Sequence, residues 1–229
     1  MIKTWSFTKI HKFEQCKLKA KLEYDEKITI PPDEPEIGET ETKLARGIRL
    51  HKAAELYVQG TGEFDPELRK FRTELHQQRV LFKQTKVSTE QMWALDTQWE
   101  PTTGGSGWGY AACDVVAKIS PEHWLIIDYK TGRKWGNEIK HGETLELYEL
   151  FAFCKDEKLE KVTAEIWYLD GDEITSRTFK REQFQDLFGK WNSRAVTMTN
   201  CTEFPPNPNI FSCRYCPYGK KGTGHCDKG

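Results

Sequence analysis

The chain has 229 residues, with 34 Lys and Arg against 35 Asp and Glu, a formal net charge of −1. That balance excludes a uniformly basic nucleic-acid coat, and the 12% of aromatic residues, which supply bulk for a core, exclude disorder across the whole chain. No stretch approaches the roughly 20 apolar residues of a membrane span, and the opening MIKTWSFTKIHKFEQC lacks the apolar centre of a secretion signal. The expectation is a soluble, intracellular, non-membrane protein of one domain.

Residues 6–24 carry Phe7, Ile10, Phe13, Leu18 and Leu22 at helical spacing behind Ser6 or Thr8 as a cap, and predict one helix. Residues 25–38, with Pro31, Pro32 and Pro35, read as a loop. Residues 39–59 read as a helix carrying Leu44, Ile48, His51, Leu56 and Val58, ended by Gly60-Thr61-Gly62. Asp65-Pro66 is a cap followed by proline at the first helical position, so a further helix runs to Thr85.

After residue 90 the period changes. Residues 92–100 read as a strand, 102–109 as a Gly-rich turn, and 110–119 and 123–130 as strands around Ser120-Pro121-Glu122, together an antiparallel meander. Residues 143–158 read as a helix with Leu147, Leu150, Phe151 and Cys154 on one face. Strands follow at 162–169 and 173–179 around Asp170-Gly171-Asp172, then a closing helix at 181–198. The order predicts a mixed α/β domain rather than a Rossmann unit: a helical part over 1–90, an α/β core over 91–200 and a Cys-rich tail over 201–229.

Charge is unevenly placed. Residues 1–24 hold six Lys against Glu14 and Glu23, and residues 211–229 hold Arg214, Lys220, Lys221 and Lys228 against Asp227, so both ends are basic and the middle is acidic.

The seven cysteines are Cys16, Cys113, Cys154, Cys201, Cys213, Cys216 and Cys226. An odd count without a secretion signal argues against a disulfide framework. Cys113 and Cys154 sit in apolar runs and read as core. Cys213-x-x-Cys216 aims two thiolates at one point, and Cys226 follows nearby, which suits a metal. The fourth ligand has three candidates, Cys16, Cys201 and His225. Spacing does not separate zinc from an iron–sulfur cluster.

Asp114 and Asp128 interrupt otherwise apolar strands, where an unpartnered carboxylate is costly. Asp128 and Lys130 are two apart and share one strand face, with Asp114 on the neighbouring strand. Such carboxylates can share a hard divalent cation. The same pattern would equally serve an ion pair that only orders the hairpin.

D-x13-D-Y-K on paired strands before a helix resembles the PD-(D/E)XK nuclease superfamily. Within it the chain is most similar to the RecB-like exonucleases, including the CRISPR-associated iron–sulfur exonucleases and the AddB-type helicase–nucleases. SFTKIHKFEQCKLKAKLEY resembles the family's opening helix, RGIRLHKAAELY its histidine helix, and LELYELFAF its QxxxY helix, with Thr144 at the Gln position and Tyr148 at the Tyr.

The resemblance implies a restriction-endonuclease-like core, a central mixed sheet flanked by helices, and an Mg²⁺- or Mn²⁺-dependent deoxyribonuclease. Its DNA would be single-stranded or carry free ends, in recombination, repair or replication. It implies His51, Asp114, Asp128 and the Tyr129 carbonyl as metal ligands, with Asp114, Asp128, Lys130 and Tyr148 catalytic. It further implies that Cys16, Cys213, Cys216 and Cys226 hold a [4Fe–4S] cluster, zinc being the alternative, which staples the first helix to the tail. The spacing of nine residues before Cys226 departs from the family pattern. A different class of reading keeps the fold as a non-catalytic DNA-binding or adaptor module.

Overall fold

The fold is that of a computed structural model describing residues 1–132 and 134–228. A two-residue strand, β1 (Trp5–Ser6), precedes α1 (Phe7–Gln15), which is capped by the Ser6 hydroxyl accepting from the Lys9 N–H. The helix expected over 6–24 is in fact two. Cys16 adopts an extended backbone, and α2 (Lys17–Tyr24) restarts after it. The break lets α1 bury Ile10 and Phe13 and α2 bury Ala20 and Leu22. No Gly or Pro announces it in sequence.

α3 (Lys43–Gln59) starts at the Thr42 cap and stops at Gly60, whose φ of 81° suits glycine. The next segment begins as a 3₁₀ turn at Pro66–Phe71 and continues as α4 (Arg72–Lys83). The first long strand, β2 (Val87–Leu95), begins and ends earlier than its expected span. Asp96 stops it: its Oδ1 accepts the N–H groups of Gln98 and Glu100, closing a turn that places Trp99 at φ 66°. β3 (Pro101–Thr102), β4 (Gly109–Ser120) and β5 (His123–Lys130) follow.

α5 (Glu138–Lys155) starts five residues before the expected position, running straight through Gly142. A Cβ there would meet only the tip of the Arg177 side chain, at the ordinary contact distance of 3.4 Å, so the glycine marks no helix boundary. β6 (Lys161–Tyr168), β7 (Glu173–Lys180), α6 (Phe184–Thr199) and the short α7 (Ile210–Cys213) complete the chain.

Among the described residues the strands form one mixed sheet of order β3-β2-β4-β5-β6-β7, with β1 also beside β4. β5 and β6 are parallel, joined by α5; β2, β4 and β5 are antiparallel, as the meander requires. Two cores sandwich the sheet. Under one face lie Trp5, Ile10, Phe13, Trp93, Ile126, Phe151 and Trp191, drawn from α1, α5, α6 and the sheet. Under the other lie Leu50, Ala54, Leu75, Val115, Ile127 and Trp167, with α3 and α4. Ile126 and Ile127 divide between the two, as strand alternation demands. No helix of the described residues is long and apolar enough to cross a membrane.

One irregularity positions the site. β4 pairs with β5 only from Val115 onward, and β1 takes the same edge at Gly109 and Tyr110. The strands therefore fork beside Asp114. On the other edge of β4 the β2 ladder passes from Thr89↔Val115 to Gln91↔Cys113, skipping Glu90 and Asp114. Glu90 is left-handed there, with φ 49°. Cys113 and Val115, two residues apart, consequently belong to opposite cores.

Candidate active site

The fork leaves backbone groups to be satisfied by side chains. Beyond the last β4–β5 pair, Val115↔Ile127, the Tyr129 N–H donates to Asp114 Oδ2 at 2.5 Å instead of to a strand carbonyl. The other oxygen, Oδ1, stands 2.9 Å from His51 Nδ1 on α3. Asp128 lies across the fork on β5 and is 4% exposed. Its Oδ1 accepts from the Tyr148 hydroxyl of α5 at 2.6 Å. Its Oδ2 contacts the Lys130 ammonium as an ion pair and is otherwise buried with no further partner. Each carboxylate is thus oriented by the helix layer on its own side of the sheet: Asp114 by α3, Asp128 by α5.

Charge and burial act against each other here. Burial alone would lower the His51 pKa, but the Asp114 hydrogen bond and charge outweigh it and hold the imidazole above its ordinary value. Burial likewise opposes the Lys130 ammonium, and Asp128 more than offsets it, so Lys130 stays protonated. Burial, then the Asp128 charge, push the Tyr148 phenol up, so it remains a donor. The Tyr129 ring faces away, its hydroxyl donating to Gln78 at 2.7 Å and its edge meeting the His51 ring.

Lys130 borders two hollows. One lies against α3 and is lined by Lys43, Ile48, His51, Lys52, Glu55 and Glu90. The other runs between β1–α1 and the start of α5 and includes Thr144 and Tyr148. Thr144 donates its hydroxyl to the Lys140 carbonyl within its own helix. Glu90 has no role readable in sequence, yet burial and then the charges of Asp114 and Glu55 raise its carboxyl, which places it near the fork. Glu55, which lines the α3-side hollow, was not singled out in sequence, although its place one helical turn beyond His51 was the available signal. Glu100 belongs to the Asp96 turn.

At the far end, Cys16, Cys213, Cys216 and Cys226 line one pocket, although Cys16 is separated by almost the whole chain from the rest. All are free thiols. The Asn207 N–H points at Cys16 Sγ at 3.5 Å and the Asn209 N–H at Cys213 Sγ at 3.3 Å. Cys201 instead donates to its own neighbourhood at the Glu203 carbonyl, and His225 bonds Thr223. Cys113 is buried, and Cys154 packs against the same core. Among the described residues no group of three or more His, Cys, Asp or Glu side chains is arranged to hold a metal ion.

Three solved structures to which the chain is similar span a range of likeness. SSO0001 aligns over 100% of this chain and 88% of its own, with 16% identity and a TM-score of 0.47. A protein of Eubacterium rectale described as a candidate exonuclease aligns over 95% of this chain and 88% of its own, with 12% identity and a TM-score of 0.54, a likeness of fold. An alkaline exonuclease of Laribacter hongkongensis aligns over 86% of each chain, with 12% identity and a TM-score of 0.35. No curated protein matches in sequence. The family model of the PD-(D/E)XK nuclease superfamily, however, matches residues 4–220, from β1 through the fork to the cysteine tail, and the chain belongs to that superfamily.

Proposed function

We propose that the protein is a Mg²⁺- or Mn²⁺-dependent deoxyribonuclease, acting as an exonuclease on single-stranded or end-containing DNA, with the whole chain forming one nuclease domain. The observation that carries this reading is the fork itself. It gathers His51, Asp114, Asp128 and Lys130 from two strands and a helix, beside open hollows. The donor set suits a hard divalent cation, with one imidazole nitrogen and two carboxylates, and the buried Asp128 Oδ2 has no partner besides the Lys130 ammonium. His51, Asp114, Asp128 and the Tyr129 carbonyl would hold it. When bound, such a cation lowers the pKa of water and offsets charge on the phosphoryl group.

The remaining work falls to the chain. Lys130 is 36% exposed and protonated, so its ammonium can offset phosphate charge from the floor of the cleft. Tyr148 fixes the rotation of Asp128, and the Tyr129 N–H fixes that of Asp114. Tyr148 therefore acts through Asp128, rather than through a free hydroxyl offered to a strand.

We also propose that the cysteine pocket holds a [4Fe–4S] cluster, zinc being the alternative. The support is four free thiols on one pocket, two of them facing backbone N–H groups, which stabilise sulfur-held clusters. Incubating end-labelled single- and double-stranded DNA with Mn²⁺, with and without chelator, tests the reaction. Metal-dependent shortening is expected. DNA binding without hydrolysis would favour the adaptor reading.

A further inference from the structure

The two hollows that meet at Lys130 differ in charge. On the α3 side the flanking lysines are already engaged: Lys43 with Glu36 and Lys52 with Glu55. Glu55 and Glu90 line that hollow too. The groove on the α5 side contains no Asp or Glu among its described lining residues. It carries Lys9 and Lys140 as well as Lys130, and neither Lys9 nor Lys140 has an acidic partner within ion-pair distance among the described residues. The hydroxyl of Thr4 lies beside Lys9, accepting from its ammonium at 2.6 Å.

The same groove exposes apolar surface. Met92 on β2 is 66% exposed and lines it. Diagonally from it on β4, opposite Ala94, stands Tyr110, whose ring packs so closely on Gly107 that a Cβ there would lie 2.9 Å from it. Glycine at 107 thus seats a rigid aromatic ring at the groove wall. A duplex hides its base faces in the stack and offers mainly phosphates; an unpaired strand offers both phosphates and bare base faces. Ammonium groups interleaved with a thioether and a phenol match the second ligand.

We infer that this groove is the strand-holding subsite, seating an unpaired DNA strand with phosphates on Lys9 and Lys140 and bases against Tyr110 and Met92. The inference rests on the nuclease reading and deepens it, because the groove delivers a single strand to Lys130. A double-stranded end would have to part before entering.

The test is fluorescence anisotropy of a labelled thymidine oligonucleotide and of a duplex of equal length, in chelator so that neither is cut. The wild-type protein should bind the single strand more tightly. Tyr110→Ala should weaken that binding about tenfold, the scale of one base–aromatic contact. Met92→Ala, at an exposed position that leaves the core intact, should weaken it less, and neither should alter duplex binding. Lys140→Ala should reduce the salt slope on single strands by about 0.7, the share of one phosphate. Equal affinity of the wild type for both DNAs, or equal losses on both in Tyr110→Ala and Met92→Ala, would overturn the subsite. Selective single-strand binding, lost in these variants but without hydrolysis in Mn²⁺, would leave the subsite standing and remove the nuclease reading instead.

Discussion

The sheet fork and the cysteine pocket are built in opposite ways. At the fork, charged side chains sit on strands held by two cores, and each is already engaged: Asp114 with His51, Asp128 with Tyr148 and Lys130. In the cysteine pocket the thiols come from the Cys16 helix break and a tail with one four-residue helix, α7. Little apolar burial holds that tail: Ile210 and Phe211 are exposed, while Tyr218 is its buried anchor. Substitution at the fork should therefore change chemistry and spare the fold. Substitution in the pocket should do the reverse.

The largest effect in the pocket is expected for Cys16→Ala. Losing one of the four ligands of the proposed cluster should empty it, and calorimetry should show melting lowered by on the order of 10 °C, with each kcal/mol worth about 2–4 °C at this size. Cys201→Ala, whose thiol points elsewhere, should keep both iron and stability. A fully loaded Cys16→Ala protein would break the comparison on this side.

At the fork, His51→Ala should raise the Mn²⁺ concentration for half-maximal cleavage by about tenfold or more, since even partners outside the ligand shell command that much affinity. Its melting temperature should move by only a few °C, because the His51 ring keeps partial solvent contact and Asp114 retains the Tyr129 N–H as a partner. An unchanged metal requirement would return His51 to a role of orienting Asp114.

A smaller effect sharpens the contrast within one helix. Tyr148 works at the fork, whereas the next residue, Glu149, is fully buried with neither carboxyl oxygen hydrogen-bonded. Burial raises its pKa from 4.5 to about 10. Between those values Glu149 is protonated when folded and charged when unfolded. Its contribution to stability is therefore largest below pH 4.5 and falls as pH rises toward about 10. Glu149→Gln should melt a few °C higher than wild type at pH 9 and show little difference at pH 5. A constant difference across that range would contradict the buried neutral acid.

Much of this was legible in sequence because it rests on short-range chemistry. The Asp128–Lys130 spacing fixed a shared strand face, and Asp65-Pro66 and Gly60 marked helix ends through backbone geometry. The β5 strand matched its predicted span because a continuous apolar run bounded by a turn admits little else. What was illegible depends on tertiary context. The break at Cys16 has no local breaker, the helix runs past Gly142 on tertiary burial alone, and the left-handed Glu90 reflects a ladder that skips a residue. Neither hollow had a sequence signature, since Lys9, Met92 and Lys140 meet only when β1 joins the edge of β4.

The central claim is that the fork carries the chemistry and the scaffold does not need it. Lys130→Ala, assayed on end-labelled DNA in Mn²⁺ and by thermal melting of the same preparation, tests this directly. The account predicts cleavage reduced by about a hundredfold or more, with melting within a few °C of wild type and DNA binding in chelator largely kept. Undiminished cleavage by folded Lys130→Ala protein would contradict it.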